Sequence, residues 1–296
     1  MFIGDIFPGE LWASPVLYTS MSTAIARIYT TEGFVIGADG RKRRSDGVIL
    51  TDSAQKVFPI KQPGIAVAYA LAGSVAMTPN ETDTNIVFDF VPEIMNAIPS
   101  AVASGAKNLR DFVVALCVPL EAKLSDLKAK GGIEKLPSDE LTSENVICRV
   151  FFDGFYRGAA SRVIATFSHD NQIIQPSDVS SHPLYPGSVL GYGSKKIADM
   201  LESSSNSGTW VDSYRYRPRN QRSVLRSEGI AMVKANISAS SDPRAVELDP
   251  QTCATIGGHM VVATVTRKDG FRWVKGHEPK TEPASPESSP VSSSPS

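Results

Sequence analysis

Short blocks of apolar residues, separated by polar or glycine-containing turns, dominate the first quarter of the chain. Apolar runs that recur about every ten residues between turn residues are typical of strands in an antiparallel sheet. Gly33 follows a polar cluster and predicts a hairpin between the first two strands. We expect the last strand of this group to end at Gly73. The predicted strands are 24–29, 34–38, 48–51, 56–60 and 64–71.

The periodicity changes in the middle of the chain. Apolar residues three and four positions apart predict helices over 85–98 and 109–128. Pro119, inside the second helical pattern, predicts a kink or a break, because proline removes a backbone donor. Asp153-Gly154 predicts a turn. Later strands are predicted at 146–152, 159–167, 173–174, 261–266 and 271–274, and later helices at 195–202 and 224–238.

The order of the predicted elements is strands, two helices, strands, two helices and strands. Runs of strands that alternate with runs of helices indicate an α+β fold rather than a doubly wound parallel sheet. We therefore expect two antiparallel sheets stacked between layers of helices. The segment 276–296 is rich in Pro, Ser and Glu. It offers little apolar surface to bury, and we expect a disordered tail there.

Composition and charge narrow the classes of function. Of the 296 residues 42% are hydrophobic, enough for a large core, and 30 basic residues balance 31 acidic ones. A net charge of −1 provides no overall field for nucleic acid or an anionic membrane, so we expect neither as a partner. The basic, aromatic segment 214–222 is predicted to be a surface loop or a subunit contact, since nucleic-acid binding needs a wider basic footprint.

Cysteine usage and the N-terminal segment indicate an intracellular protein. Three cysteines without a CxxC spacing argue against a disulfide framework or a zinc site, and favour a reducing compartment. We expect no metal and no cofactor. Residues 1–20 lack the basic and apolar regions of a signal peptide. No stretch of the sequence approaches the length of a membrane span, so we expect a soluble, cytoplasmic protein.

Candidate chemistry is concentrated between Met21 and Gly73. This stretch holds the hydroxyl residues Ser22 and Thr23, and then Asp39, Lys56 and Gly73 in that order. Their order and spacing resemble the N-terminal half of a proteasome-type β subunit, closest to the bacterial HslV branch of the N-terminal-nucleophile (Ntn) hydrolases. The matching motifs are Gly37-Ala38-Asp39-Gly40-Arg41, Ala54-Gln55-Lys56-Val57, Gly73, Gly191-Tyr192-Gly193-Ser194 and Ile256-Gly257-Gly258.

The resemblance implies a four-layer αββα sandwich over residues 22–275, preceded by a leader over 1–21. It implies a threonine- or serine-type endopeptidase that forms an acyl-enzyme through a nucleophile at its mature N-terminus. Asp39 would hold Lys56, the Lys56 ammonium would activate the nucleophile, and the Gly73 N–H would bind the oxyanion. It further implies a homo-oligomeric ring that cleaves peptides or unfolded proteins, with an ATPase among the partners to be considered.

Several alternatives remain open at this stage. Counting back from Asp39 selects Thr23 as nucleophile, whereas aligning the hydrophobic start selects Ser22. Either the leader is removed or translation begins at Met21. Tyr192 occupies the place of a supporting serine in the family, and Cys253 or Ala254 that of an aspartate. A catalytically inactive ring subunit and an Ntn amidohydrolase acting on a small amide are therefore the alternative functions.

Overall fold

A computed structural model describes residues 18–21, 23–44, 47–80, 83, 85–137, 145–203, 205–220 and 222–280 of the chain. Within these residues it combines antiparallel sheets with helices. The strands are β1 (Tyr18–Met21), β2 (Ile25–Thr30), β3 (Gly33–Ala38), β4 (Lys42–Arg44), β5 (Ile49–Thr51), β6 (Val57–Gln62), β7 (Ile65–Met77), β8 (Phe88–Asp89), β9 (Val146–Tyr156), β10 (Ala159–Asp170), β11 (Ile173–Ile174), β12 (Asp178–Ser181), β13 (Val189–Tyr192), β14 (Val261–Thr266) and β15 (Gly270–Trp273).

Polar residues cap the N-termini of the first two helices. Asp89 accepts a hydrogen bond from the Val91 N–H at the start of the first helix, and Asn108 does the same for Asp111 in the second. The helices are α1 (Phe90–Ala103), α2 (Leu109–Ala129), α3 (Lys195–Glu202), α4 (Arg226–Ser241), α5 (Ala245–Leu248) and α6 (Pro250–Cys253), with a 3-10 turn at Trp210–Tyr214. Among the described helices, none is long and apolar enough to cross a membrane.

The described strands form two sheets in which neighbouring strands run antiparallel. The larger sheet has the order β11-β10-β9-β7-β1-β4-β5, and β6, β8 and β12 join it beside this path. The smaller sheet has the order β13-β2-β3-β14-β15. Pairing along β7 and β9 runs from Ile65 opposite Tyr156 to Gly73 opposite Cys148. This confirms the expectation of antiparallel sheets.

Four apolar clusters lie among the described residues, and three of them fill the spaces between the sheets and the helices that cover them. In the first, α1 and α2 pack on one face of the larger sheet through residues such as Phe112 and Leu116. In the second, the two sheets contact each other, for example through Phe34 of β3 and Phe151 of β9. In the third, α4 covers the other face of the smaller sheet, where Val233 lies against β2, β3 and β14. The alternation of inward and outward residues along each strand produces these faces.

Most predicted elements are present, and three match the structure at both ends: the strands β11 and β14 and the helix α3. Three local predictions were wrong. The strand that was expected to end at Gly73 continues to Met77, because the segment after Gly73 is apolar and buried and pairs with β1 and β8. The break that was expected at Pro119 does not occur, because α2 continues through this residue, which the buried residues Leu116 and Leu120 flank.

The third wrong prediction is the turn at Asp153-Gly154, which lies inside β9. Asp153 is buried there between Arg27 and Arg162, at 3.3 Å and 2.7 Å. A Cβ atom on Gly154 would lie 2.3 Å from the carbonyl oxygen of Ala66. Glycine is therefore required by the close approach of the neighbouring strand rather than by a change of chain direction.

Candidate active site

Thr23 lies two residues before the first residue of β2. Its side chain is 1% exposed. Its Oγ1 accepts a hydrogen bond of 3.1 Å from Nζ of Lys56. Since an ammonium group only donates, this contact directs a positive charge at the threonine oxygen. Ser22, the other candidate nucleophile, lies outside the described residues.

Lys56 lies immediately before β6, and its side chain is fully buried. Besides Thr23, its Nζ contacts Oδ1 of Asp39 at 3.0 Å. Burial lowers the pKa of the Lys56 ammonium, and the negative charge and hydrogen bond of Asp39 act in the opposite direction. The ion pair therefore offsets the cost of burying a cation beside the hydroxyl group.

Asp39 is the residue that joins the separate segments of the site. It follows β3, and its Oδ1 also accepts a hydrogen bond from the backbone N–H of Ala24, at 2.9 Å. Its Oδ2 accepts from the N–H groups of Gly257 and Arg41, at 3.0 Å and 3.2 Å. These donors satisfy the hydrogen-bonding capacity of the buried carboxylate in the absence of solvent. Asp39 thereby fixes the start of β2, the end of β3 and the turn before β14 relative to Lys56.

The glycine turn before β14 reaches Asp39 because it lacks side chains. Gly257 and Gly258 have φ values of +153° and +77°, and a Cβ on Gly258 would lie 2.4 Å from the Asp52 carbonyl oxygen. Arg41 forms an ion pair of 2.7 Å with Asp52 on the same side. Gly257-Gly258 was recognised in the sequence as a family-like turn. Its contact with Asp39, like the role of Arg41, was missed because the partners are far apart in the chain.

Gly73 occupies an unusual backbone position in the middle of β7. Its φ is +99°, and a Cβ there would lie 2.7 Å from the Ile147 carbonyl oxygen. It pairs with Cys148 of β9 on one side and with Met21 of β1 on the other. Gly73 therefore lies opposite Met21, which precedes Thr23 by two residues.

Tyr192 and Cys253 are the two positions that depart from the family pattern, and the structure describes the surroundings of both. Tyr192 of β13 pairs with Ile25, and its ring lies 5.5 Å from the ring of Phe151. Cys253 is buried at the end of α6, and burial raises the pKa of its thiol. A buried, protonated thiol is a poor nucleophile. Neither residue supplies the serine or the carboxylate of the family pattern.

A pocket of about 470 Å³ is lined by residues that neighbour Lys56 and Gly73 in the chain, and none of Thr23, Asp39, Lys56 and Gly73 lines it. Ser53, Ala54 and Gln55, directly before Lys56, line one wall. Val75, two residues after Gly73, and Asp89 at the start of α1 line another. A pocket of this size can hold the side chain of a peptide residue or a small ligand. In the part of the chain that the structure describes, no group of three His, Cys, Asp or Glu residues could hold a metal ion.

Comparisons with known proteins give only distant structural likeness. No protein-family model and no curated protein sequence matches the chain. Similar solved structures include Anbu (ancestral beta-subunit) from Yersinia bercovieri, at 13% identity and a TM-score of 0.44, with 86% of this chain and 88% of that chain covered. Anbu from Hyphomicrobium sp. strain MC1 is 12% identical, with a TM-score of 0.47 and 85% of each chain covered. Its (Gly-1) mutant is also 12% identical, with a TM-score of 0.45 and coverage of 86% and 85%.

Proposed function

We propose that this protein is a threonine-type Ntn hydrolase of the proteasome kind, which cleaves peptide bonds through an acyl-enzyme. The observation that carries the proposal is the contact of one buried ammonium group, that of Lys56, with both Thr23 Oγ1 and Asp39 Oδ1. The packing of α1 and α2, the two sheets and α4 supports the four-layer αββα arrangement of such hydrolases.

We take Thr23 as the nucleophile in this proposal, because its hydroxyl group contacts Lys56. Cleavage between these two residues would leave Thr23 with a free α-amine, whose unperturbed pKa of about 7.7–8.0 suits a general base near neutral pH. The Thr23 hydroxyl is already oriented by Lys56 at 3.1 Å. The domain would then comprise residues 23–275, with 1–22 as the leader; a start at Ser22 remains the alternative register.

The proposed reaction has two steps. The amine takes the proton of the Thr23 hydroxyl, and Oγ1 attacks the peptide carbonyl carbon to give a tetrahedral oxyanion. The C–N bond then breaks, the leaving nitrogen receives the proton, and an ester remains on Thr23 until water hydrolyses it. Lys56 stabilises the developing alkoxide by its charge. The N–H of Gly73 is the proposed donor to the oxyanion.

The leader strand supports a second candidate function. β1 lies between β7 and β4, and its backbone pairing covers the edge of β7 at Gly73. A chain that retained this strand would have neither a free amine at Thr23 nor an open edge at Gly73. Such a chain would serve as an inactive structural subunit of the ring.

The assembly and partners belong to the same proposal. We infer a homo-oligomeric ring in the cytoplasm, acting on peptides or unfolded proteins, because the site residues follow the order of a family that forms such rings. A partner ATPase that delivers substrate fits this scheme. An Ntn amidohydrolase acting on a small amide remains the third alternative.

Intact-protein mass spectrometry and a peptide epoxyketone test the proposal together. The epoxyketone reacts with both the hydroxyl and the free amine of an N-terminal nucleophile. We expect a mature mass that begins at Thr23, labelling of that protein, and loss of labelling in Thr23→Ala. Thr209→Ala, an exposed threonine elsewhere, is the matched control and should label normally.

Other outcomes separate the alternatives. A protein that keeps its leader and resists labelling would support the inactive subunit. Labelling that survives Thr23→Ala but not Ser22→Ala would move the nucleophile to Ser22. Turnover of small amides without turnover of any peptide would favour the amidohydrolase.

A further inference from the structure

A second pocket of about 470 Å³ lies among the helices that flank the smaller sheet. Its walls are the end of α3, one face of α4, the segment before β13, and the residues Tyr216, Arg217, Pro218 and Arg222. None of Thr23, Asp39, Lys56 and Gly73 lines it. The pocket is thus separate from the candidate active site. Its volume falls within the range of small-molecule sites.

Asn236 of α4 presents its amide to this pocket. The residue is 8% exposed, and it forms part of the pocket wall. Its side chain makes no hydrogen bond to any other residue that the structure describes. An amide offers both donors and an acceptor, so a polar group that enters the pocket from solvent can bond to Asn236.

The other lining residues specify the chemistry of that group. Arg217 and Arg222 line the pocket, and Glu202 is the one acidic residue among its described walls, so the local charge is positive. Burial and the nearby charge of Asp199 raise the pKa of Glu202. Guanidinium groups bind carboxylates and phosphates through paired hydrogen bonds.

An apolar wall accompanies these charges. Val189, Leu201 and Met232 contribute aliphatic surface, and Tyr216 contributes a ring. A site that combines a few polar groups with apolar walls orients a ligand by its polar end and gains affinity from its hydrophobic body. Inorganic anions would use only the first of these features.

We propose that this pocket binds a small organic anion, with a carboxylate or phosphate facing Arg222, a polar atom bonded to the Asn236 amide, and an apolar body against Met232 and Leu201. The site is independent of the proposed peptidase activity. A ligand bound there would connect α3 and α4 and would stabilise the folded state by mass action.

Isothermal titration calorimetry of the full chain with phenyl phosphate and with benzoate tests the proposal. The probe that binds more tightly identifies the preferred anionic group. Benzyl alcohol, which has the ring without the charge, and inorganic phosphate, which has the charge without the ring, should each bind more weakly. We expect Arg222→Gln and Asn236→Ala to weaken the better probe by about tenfold, equal to ~1.4 kcal/mol. Arg272→Gln, which changes an exposed arginine of β15, is the matched control and should bind as the unchanged protein does.

Two results would overturn the proposal. One is the absence of saturable binding of either probe at about 1 mM, the weak end of specific affinity. The other is equal binding by Arg222→Gln and by the unchanged protein. Circular dichroism melting of each variant verifies folding, and Arg222→Gln alone decides the question if Asn236→Ala does not fold.

Discussion

Nζ of Lys56 lies 3.0 Å from Oδ1 of Asp39, and the side chains of both residues are 0% exposed. Burial of such a pair contributes little net stability, because both charges lose their hydration. It persists because backbone N–H groups of Ala24, Gly257 and Arg41 also bond to the carboxylate. The pair therefore holds one charged atom in a fixed place beside Thr23.

Replacing Lys56 by Met should lower stability and abolish epoxyketone labelling. Asp39 would remain buried without its counter-ion, and breaking a buried pair costs about 3–5 kcal/mol. The double variant Lys56→Met/Asp39→Asn removes both charges. We expect it to regain part of the lost stability, measured by urea unfolding, while labelling stays absent.

Lys268→Met, in the exposed turn before β15, is the control and should leave both measurements unchanged. Equal labelling of Lys56→Met and the unchanged protein would exclude Lys56 from the chemistry. A double variant less stable than Lys56→Met would contradict the buried-pair explanation.

Asp39 and Lys56 could be selected from the sequence because their order relative to Thr23 and Gly73 resembles a known pattern. The bond from Gly257 to Asp39 could not, since 218 positions separate the two residues and no local signal reports such a contact. The sheets were predictable from short apolar blocks. Their pairing order was not, because it depends on which strand edges meet after the chain has folded.

The turn wrongly predicted at Asp153-Gly154 has the same cause. An Asp-Gly pair is a strong local turn signal, yet Asp153 is neutralised by Arg162 from the neighbouring strand and by Arg27 from the other sheet. Local preference gives way here to tertiary charge pairing. A single sequence shows the preference but not the partner.

Asp153→Asn should therefore destabilise the protein strongly. The change leaves Arg27 and Arg162 buried side by side without a counter-charge, and we expect a loss of about 3–5 kcal/mol in the free energy of unfolding. Burial and the charge of Arg162 already lower the pKa of Arg27 to about 10, against the effect of Asp153. Urea unfolding measures the loss.

Asp126→Asn is the control for this change. Asp126 pairs with Lys130 on the exposed surface of α2, with both side chains more than half exposed. Pairs of this kind contribute about 0.3–0.5 kcal/mol. Similar losses in the two variants would show that burial of the Asp153 network is not what stabilises it.

Gly73→Ala should destabilise the protein more than the same replacement at a glycine that also has a positive φ but has free space around it. Gly105 has a φ of +74° and no atom within 4 Å of a Cβ placed on it, whereas a Cβ on Gly73 would lie 2.7 Å from the Ile147 carbonyl. We expect Gly73→Ala to lose about 1–3 kcal/mol more than Gly105→Ala, the usual cost of overpacking. Equal thermal unfolding of the two variants would mean that β7 and β9 can separate at this point without cost.

Mild acidification should weaken the fold through three histidines whose pKa values are lowered in the folded protein. Burial lowers the pKa of His169, and it also lowers the pKa values of His182 and His277. In the unfolded chain a histidine has a pKa of about 6.5, so on acidification it binds a proton at a higher pH than the folded side chain does. The stabilisation of the folded state is therefore fully present above about pH 6.5 and declines below it. We expect the urea midpoint to fall between about pH 7.5 and pH 5, and to fall less in His169→Gln. A midpoint that stays constant or rises over this interval would contradict the lowered pKa values.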